Sequence, residues 1–89
     1  MALVTLDYGM DDGTGQLVGH VVYDDANGNQ ITRVDWDNQS QTDWNVRILS
    51  GGKPPLNTVI RKGRSGAITS PTTLAGYLGD PLLIEIGGA

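Results

Sequence analysis

Trp36 and Trp44 bracket an acidic, amide-rich stretch, 37–43. An indole ring stacks on the apolar face of a sugar, and carboxylates and amides take up its hydroxyls. Asp35, Asp37, Asn38, Gln39 and Asp43 would supply those acceptors. A carbohydrate-binding face is therefore one reading of the segment. The competing reading places both indoles in the core, because a chain with no phenylalanine must draw its aromatic packing from tryptophan and tyrosine. A second constellation is Asp25, Asn27 and Asn29, alternating around Gly28 as ligands do at the start of a calcium loop. The glutamate that closes a twelve-residue EF-hand loop would fall on Trp36, which cannot coordinate, so that motif is excluded. A looser calcium site adding Asp24, Asp11 or Asp12 stands as the alternative to a solvated turn. No other metal site and no cofactor is expected.

Catalytic sets are missing. His20 is the only histidine and there is no cysteine, which removes disulfides, thiolate nucleophiles and cysteine-ligated zinc. None of Ser40, Ser50, Ser65 and Ser70 lies in a strand–Gly-x-Ser-x-Gly–helix context. His20 sits among valines and reads as a satisfied or half-exposed strand residue. The glycine-rich stretch 9–19 lacks the lysine of a phosphate loop and opens no helix, so it reads as a flexible loop. The expectation is a protein that is not an enzyme.

Charge is unevenly laid out. Residues 1–45 hold eight aspartates against Arg33, a net of −7, and residues 46–89 hold five cations against Asp80 and Glu85, a net of +3; together they give −4. Lys53, Arg61, Lys62 and Arg64 fall within twelve residues. Two readings follow. The halves neutralise each other inside one molecule, each exposed pair contributing under about 1 kcal/mol. Alternatively, the Arg61-Lys62-Gly63-Arg64 corner, with Lys53, binds carboxylates on a protein partner or on a second copy, and head-to-tail contacts of that kind build rings or lattices. Nucleic acid is not an expected partner, because aspartates dominate and no aromatic is interleaved with the basic cluster.

These residues need a scaffold, and 89 of them allow one domain, 1–89, with a small core. Thirteen glycines without a period lie between short apolar runs, as turns do. Glutamate occurs once and lysine twice, so strong helix formers are scarce and β-branched residues take their place. Strands are expected over 2–7, 17–24, 31–36, 43–50, 56–62, 67–69 and 82–86. Over 17–24, Leu17, Gly19, Val21 and Tyr23 share one face. Over 31–36, Thr32, Val34 and Trp36 form the buried face. Asn27-Gly28 between two β-like runs is a hairpin signal, since both residues tolerate positive φ. Ser70 caps a short helix with Pro71 at its first position; Thr72–Leu78 continues it and Gly79 ends it. No run of apolar residues is long enough for a membrane span, and the first residues lack the basic and apolar regions of a signal peptide.

The run Asp25-Ala26-Asn27-Gly28-Asn29, between a valine-rich strand and Ile31, resembles the hairpin of bacterial and phage immunoglobulin-like domains. Gln30 stands where proline is usual in that hairpin. The resemblance covers about a tenth of the chain. It implies a β-sandwich with a structural or adhesive role.

The expectation is thus an all-β domain: a small immunoglobulin-like sandwich or compact barrel of about seven short strands, with one short helix near residues 71–78. Its expected function is non-enzymatic, a module that attaches to or decorates a larger assembly such as a phage capsid or tail or a bacterial surface. Virion or cell surface is the favoured setting. The alternatives are a carbohydrate-binding module built on Trp36 and Trp44, and a small acidic inhibitor or immunity-type protein.

Overall fold

The computed structural model describes residues 2–89. Seven strands and one helical turn follow in order: β1 Leu3–Asp11, β2 Gln16–Asp24, β3 Gln30–Asn38, β4 Trp44–Leu49, β5 Leu56–Ile60, β6 Ser65–Ile68, α1 Pro71–Leu74 and β7 Leu83–Gly88. All pairings are antiparallel, in a four-stranded sheet β1-β2-β3-β6 and a three-stranded sheet β5-β4-β7. The sheets pack face to face. Val21, Tyr23, Ile31 and Val34 meet Ile48, with Leu74 and Tyr77 closing that end, and Leu17 meets Trp44, Val46 and Ile60. This is the expected sandwich. Its strand order differs from that of an immunoglobulin constant domain, where the second strand lies between the first and the fifth. Here β2 lies between β1 and β3, because two tight turns leave no length for a crossover.

The first of those turns corrects the reading of 9–19 as a flexible loop. Gly9 and Gly19 are strand residues, and only 12–15 form the turn. Gly13 and Gly15 supply the φ values of 82° and 155° that it needs. The Asp11 and Asp12 carboxylates accept from the backbone N–H groups of Gly13 and Thr14.

The second turn forms where Asn27-Gly28 announced it, with the positive φ displaced by one residue. It falls on Gly28 (64°) and Asn29 (62°), not on Asn27. The register of β2 with β3 runs from Leu17–Asn38 to Val22–Arg33, then shifts so that Tyr23 meets Ile31. Thr32 is the extra residue of a β-bulge. The bulge puts Ile31 on the core face with Val34, so the expected face 32-34-36 loses Thr32 to solvent and gains Ile31.

Gln30, the departure from the usual hairpin, has a structural task. Its Nε2 donates to the carbonyls of Leu74 (2.7 Å) and Tyr77 (3.3 Å), and its Oε1 accepts from Gly76 N–H at 3.1 Å. Proline has no such group. This clasp collects the carbonyls at the end of α1. The helix therefore stops at Leu74, not at Leu78 as expected, and Gly76 turns the chain away at φ 84°. Ser70 caps it as anticipated, accepting from Thr73 N–H. Gly79 serves a different need: a Cβ there would enter the Tyr23 ring.

Across the inner face of the four-stranded sheet runs one register row: Tyr8, Gly19, Trp36, Gly66. Aromatic rings alternate with glycines, and each ring lies over a glycine. A strand glycine normally weakens packing; here its missing side chain is the space the ring fills.

Candidate functional site

The next row of that sheet faces outward and reads Asp7, His20, Asp35, Ala67. His20 Nδ1 lies 2.6 Å from Asp35 Oδ1, and its Nε2 lies 3.7 Å from Asp7 Oδ1. Arg33 Nε donates to the other Asp35 oxygen at 2.9 Å. Partial burial raises the Asp35 pKa, and Arg33 and His20 outweigh it, leaving the carboxyl below its usual range. Val18, Trp36, Asp37, Ser65, Gly66 and Ala67 complete a shallow depression of about 510 Å³. Of the two imidazole nitrogens only Nδ1 is hydrogen-bonded, to Asp35. The row sets two carboxylates about one histidine, and Arg33 holds the far oxygen of Asp35. By alternation alone His20 reads as a strand histidine, although a two-residue turn at Asn27-Gly28 implies its pairing with Asp35.

The sugar platform offered as the alternative reading does not assemble. Trp44 is 8% exposed and its Nε1 donates to Ser40 Oγ at 2.9 Å. Trp36 faces inward with Val34 and Asn38, while Asp35 and Asp37 face outward, because neighbouring strand residues point to opposite faces. The rings and the acceptors thus lie on opposite sides of a sheet. Asn38 is fully buried. Its Nδ2 donates to the carbonyls of Thr42 (2.9 Å) and Ile60 (3.0 Å), and its Oδ1 accepts from Ser40. Gln39 is turned to Asp37. Asp43 is engaged by the basic corner. Within the segment between the tryptophans, Asn38 and Ser40 form a buried polar staple joining the two sheets.

Asp25, Asn27 and Asn29 lie in the exposed β2–β3 turn. Asp24 is committed inward, accepting from the N–H groups of Ala2 and Ala26. Asp11 ends β1 and Asp12 opens the other turn, at the opposite end of the nine-residue β2. No three acidic or histidine side chains among the described residues are grouped as metal ligands.

The basic corner is the β5–β6 turn, formed with Gly63 at φ 70°. Arg61 pairs with Asp43 at 3.1 Å, and the Lys62 N–H donates to the other Asp43 oxygen at 2.8 Å. The Lys62 N–H first, and then Arg61, hold the Asp43 carboxyl below its usual range. The side chains of Lys62 and Arg64 make no ion pair among the described residues. Lys53 lies elsewhere, its Nζ 5.8 Å from the centre of the Tyr77 ring. The four cations therefore divide: one is neutralised, two stand free at a single turn, and one belongs to another surface.

Compared with family profiles, with curated proteins and with solved structures, the chain gives no match. No helix among the described residues is long and apolar enough to cross a membrane.

Proposed function

We propose that this domain is a non-enzymatic interaction module that attaches to a larger assembly through its β5–β6 turn. The observation that carries the reading is the pair Lys62 and Arg64, two exposed cations without an internal partner, on a turn anchored by the Asp43–Arg61 pair. Anchoring matters because a fixed backbone presents charge with less ordering cost on binding. The partner it suits is a carboxylate-bearing protein surface, as on a phage capsid or tail or on a bacterial surface. Lys53 takes no part in this reading.

The test is titration with poly-glutamate at low and high salt, using the wild-type chain and Lys62→Glu/Arg64→Glu. Salt-sensitive binding that the double variant loses supports the reading. Binding that ignores both changes, or no binding at low salt, refutes it.

A further inference from the structure

β6 is an outer strand of the four-stranded sheet. Asn38 N–H donates to the Arg64 carbonyl at 2.8 Å. This bond fixes the parity of the ladder: Arg64, Gly66 and Ile68 turn their polar groups toward β3, and Ser65 and Ala67 turn theirs outward. Those outward groups have no backbone partner among the described residues. Exposed edges are ordinarily guarded by charge, proline, a bulge or the shortness of the strand. β1 carries Asp7 and Asp11, β7 carries Glu85, and β5, itself uncharged, is entered through Pro54 and Pro55. β6 reads Ser-Gly-Ala-Ile, and its shortness is its one guard.

The inner side of this edge is also unfinished. Gly66 ends the aromatic–glycine row, and a Cβ there would stand 2.9 Å from Trp36 Cζ2 and 3.2 Å from Nε1. The Trp36 indole reaches the edge with only a glycine beside it. It is half-buried, and its Nε1 has no acceptor among the described residues, unlike that of Trp44.

We propose that β6 is a self-association edge, to which a second copy of this chain adds its own β6, antiparallel, about a two-fold axis at Gly66. The occupant follows from the symmetry of the edge itself. Outward-facing residues must meet outward-facing residues, and core-side chains must meet core-side chains. Centred on Gly66, Ser65 of each copy meets Ala67 of the other, and each of these pairs exchanges two main-chain hydrogen bonds. Gly66 then meets Gly66 of the second copy at the narrow spacing of a non-hydrogen-bonded pair, roughly 4.5 Å between Cα atoms. Two side chains at that point would exclude the indoles. Two glycines let both Trp36 rings converge across the junction. β6 carries no charge, so no like charges oppose within the pair. The contact is isologous and closes at two copies. A four-residue edge buries little area, so the dimer is weak and concentration-dependent.

Sedimentation velocity on the full chain, over a concentration series at low and high salt, tests this. The expected result is a reversible monomer–dimer equilibrium that survives high salt. Tryptophan emission shifts to the blue with concentration, from Trp36, since Trp44 is already buried. Ala67→Pro removes an outward donor without removing a bond to β3, and Ala67→Lys guards the edge with charge; both become monomeric with unchanged circular dichroism. If the proline variant does not fold, the lysine variant carries the test. Lys62→Glu/Arg64→Glu leaves the dimer intact, which separates this contact from the basic corner. A monomer at every concentration, a dimer unchanged by the Ala67 substitutions, a dimer dissolved by salt, or a larger oligomer overturns the proposal.

Discussion

The ring of Tyr8 lies over Gly19, its register partner on β2, and its hydroxyl reaches across that strand to donate to the Asp35 carbonyl at 2.9 Å. One side chain thereby ties β1 to β3 over a glycine. Burial, and secondarily the Asp35 charge, raises the Tyr8 pKa, so the hydroxyl stays protonated and remains a donor at any ordinary pH.

Gly19→Ala puts a methyl group inside the space of that ring. The ring must leave its place, and overpacking of this kind costs about 1–3 kcal/mol. Tyr8→Phe keeps the ring and removes the donor, costing about 1 kcal/mol. Urea denaturation of both variants checks the order: the glycine substitution is the more damaging.

Asn38 and Ser40 form the staple between the sheets. Asn38 makes two donor bonds to carbonyls of other segments and accepts twice from Ser40. Asn38→Ala leaves the carbonyls of Thr42 and Ile60 without this donor in a buried site, at a cost of about 3 kcal/mol. Ser40→Ala also removes the acceptor of Trp44 Nε1. Tryptophan emission of the Ser40 variant, together with its denaturation midpoint, shows whether the indole loosens as expected.

Acid weakens the fold in a defined window. Asp12 is held at about 2 by the Thr14 and Thr42 hydroxyls and the Thr14 N–H. Asp43 is lowered by Lys62 N–H and Arg61, and Asp35 by Arg33 and His20 against its burial. All three bind protons less readily folded than unfolded, where an aspartate titrates near roughly 3.9. Their contribution is therefore complete above that value and declines as pH falls through the folded values toward 2. Denaturation midpoints measured from neutral pH downward follow this course. Asp12→Asn keeps an acceptor for Thr14 and has nothing to protonate, so its acid limb is flatter than that of the wild-type chain.

Legibility in the sequence divides along physical lines. Local signals were readable: the glycines as turns, the alternation of Trp44, Val46 and Ile48, the Ser70-Pro71 start of α1. The helix end was not, because Gln30, forty-four residues before Leu74, draws the chain out of the helix. The bulge at Thr32 escaped for a similar reason, since alternation alone carries no sign of an extra residue. Trp36 and its flanking aspartates looked like one site in sequence, and strand geometry sends them to opposite faces. The free pair Lys62 and Arg64 was legible as a cluster; that Asp43 neutralises Arg61 was not, because it depends on the register of β4 with β5, which sets Trp44 opposite Ile60.

The β2–β3 turn offers a last test of a displaced expectation. An Asn-Gly turn places positive φ on Asn27, yet Asn29 is the non-glycine residue that holds it, at 62°. A β-branched side chain in that region brings Cβ too close to the carbonyl oxygen, at a cost of roughly 1–2 kcal/mol. Asn29→Val is therefore destabilising by about that amount. Asn29→Gly is close to neutral, because glycine adopts this conformation freely. Asn27→Val changes little, since its backbone is unstrained and its side chain makes no hydrogen bond among the described residues. Denaturation midpoints that rank Asn29→Val well below Asn27→Val confirm the displacement. The reverse order would return the strain to Asn27.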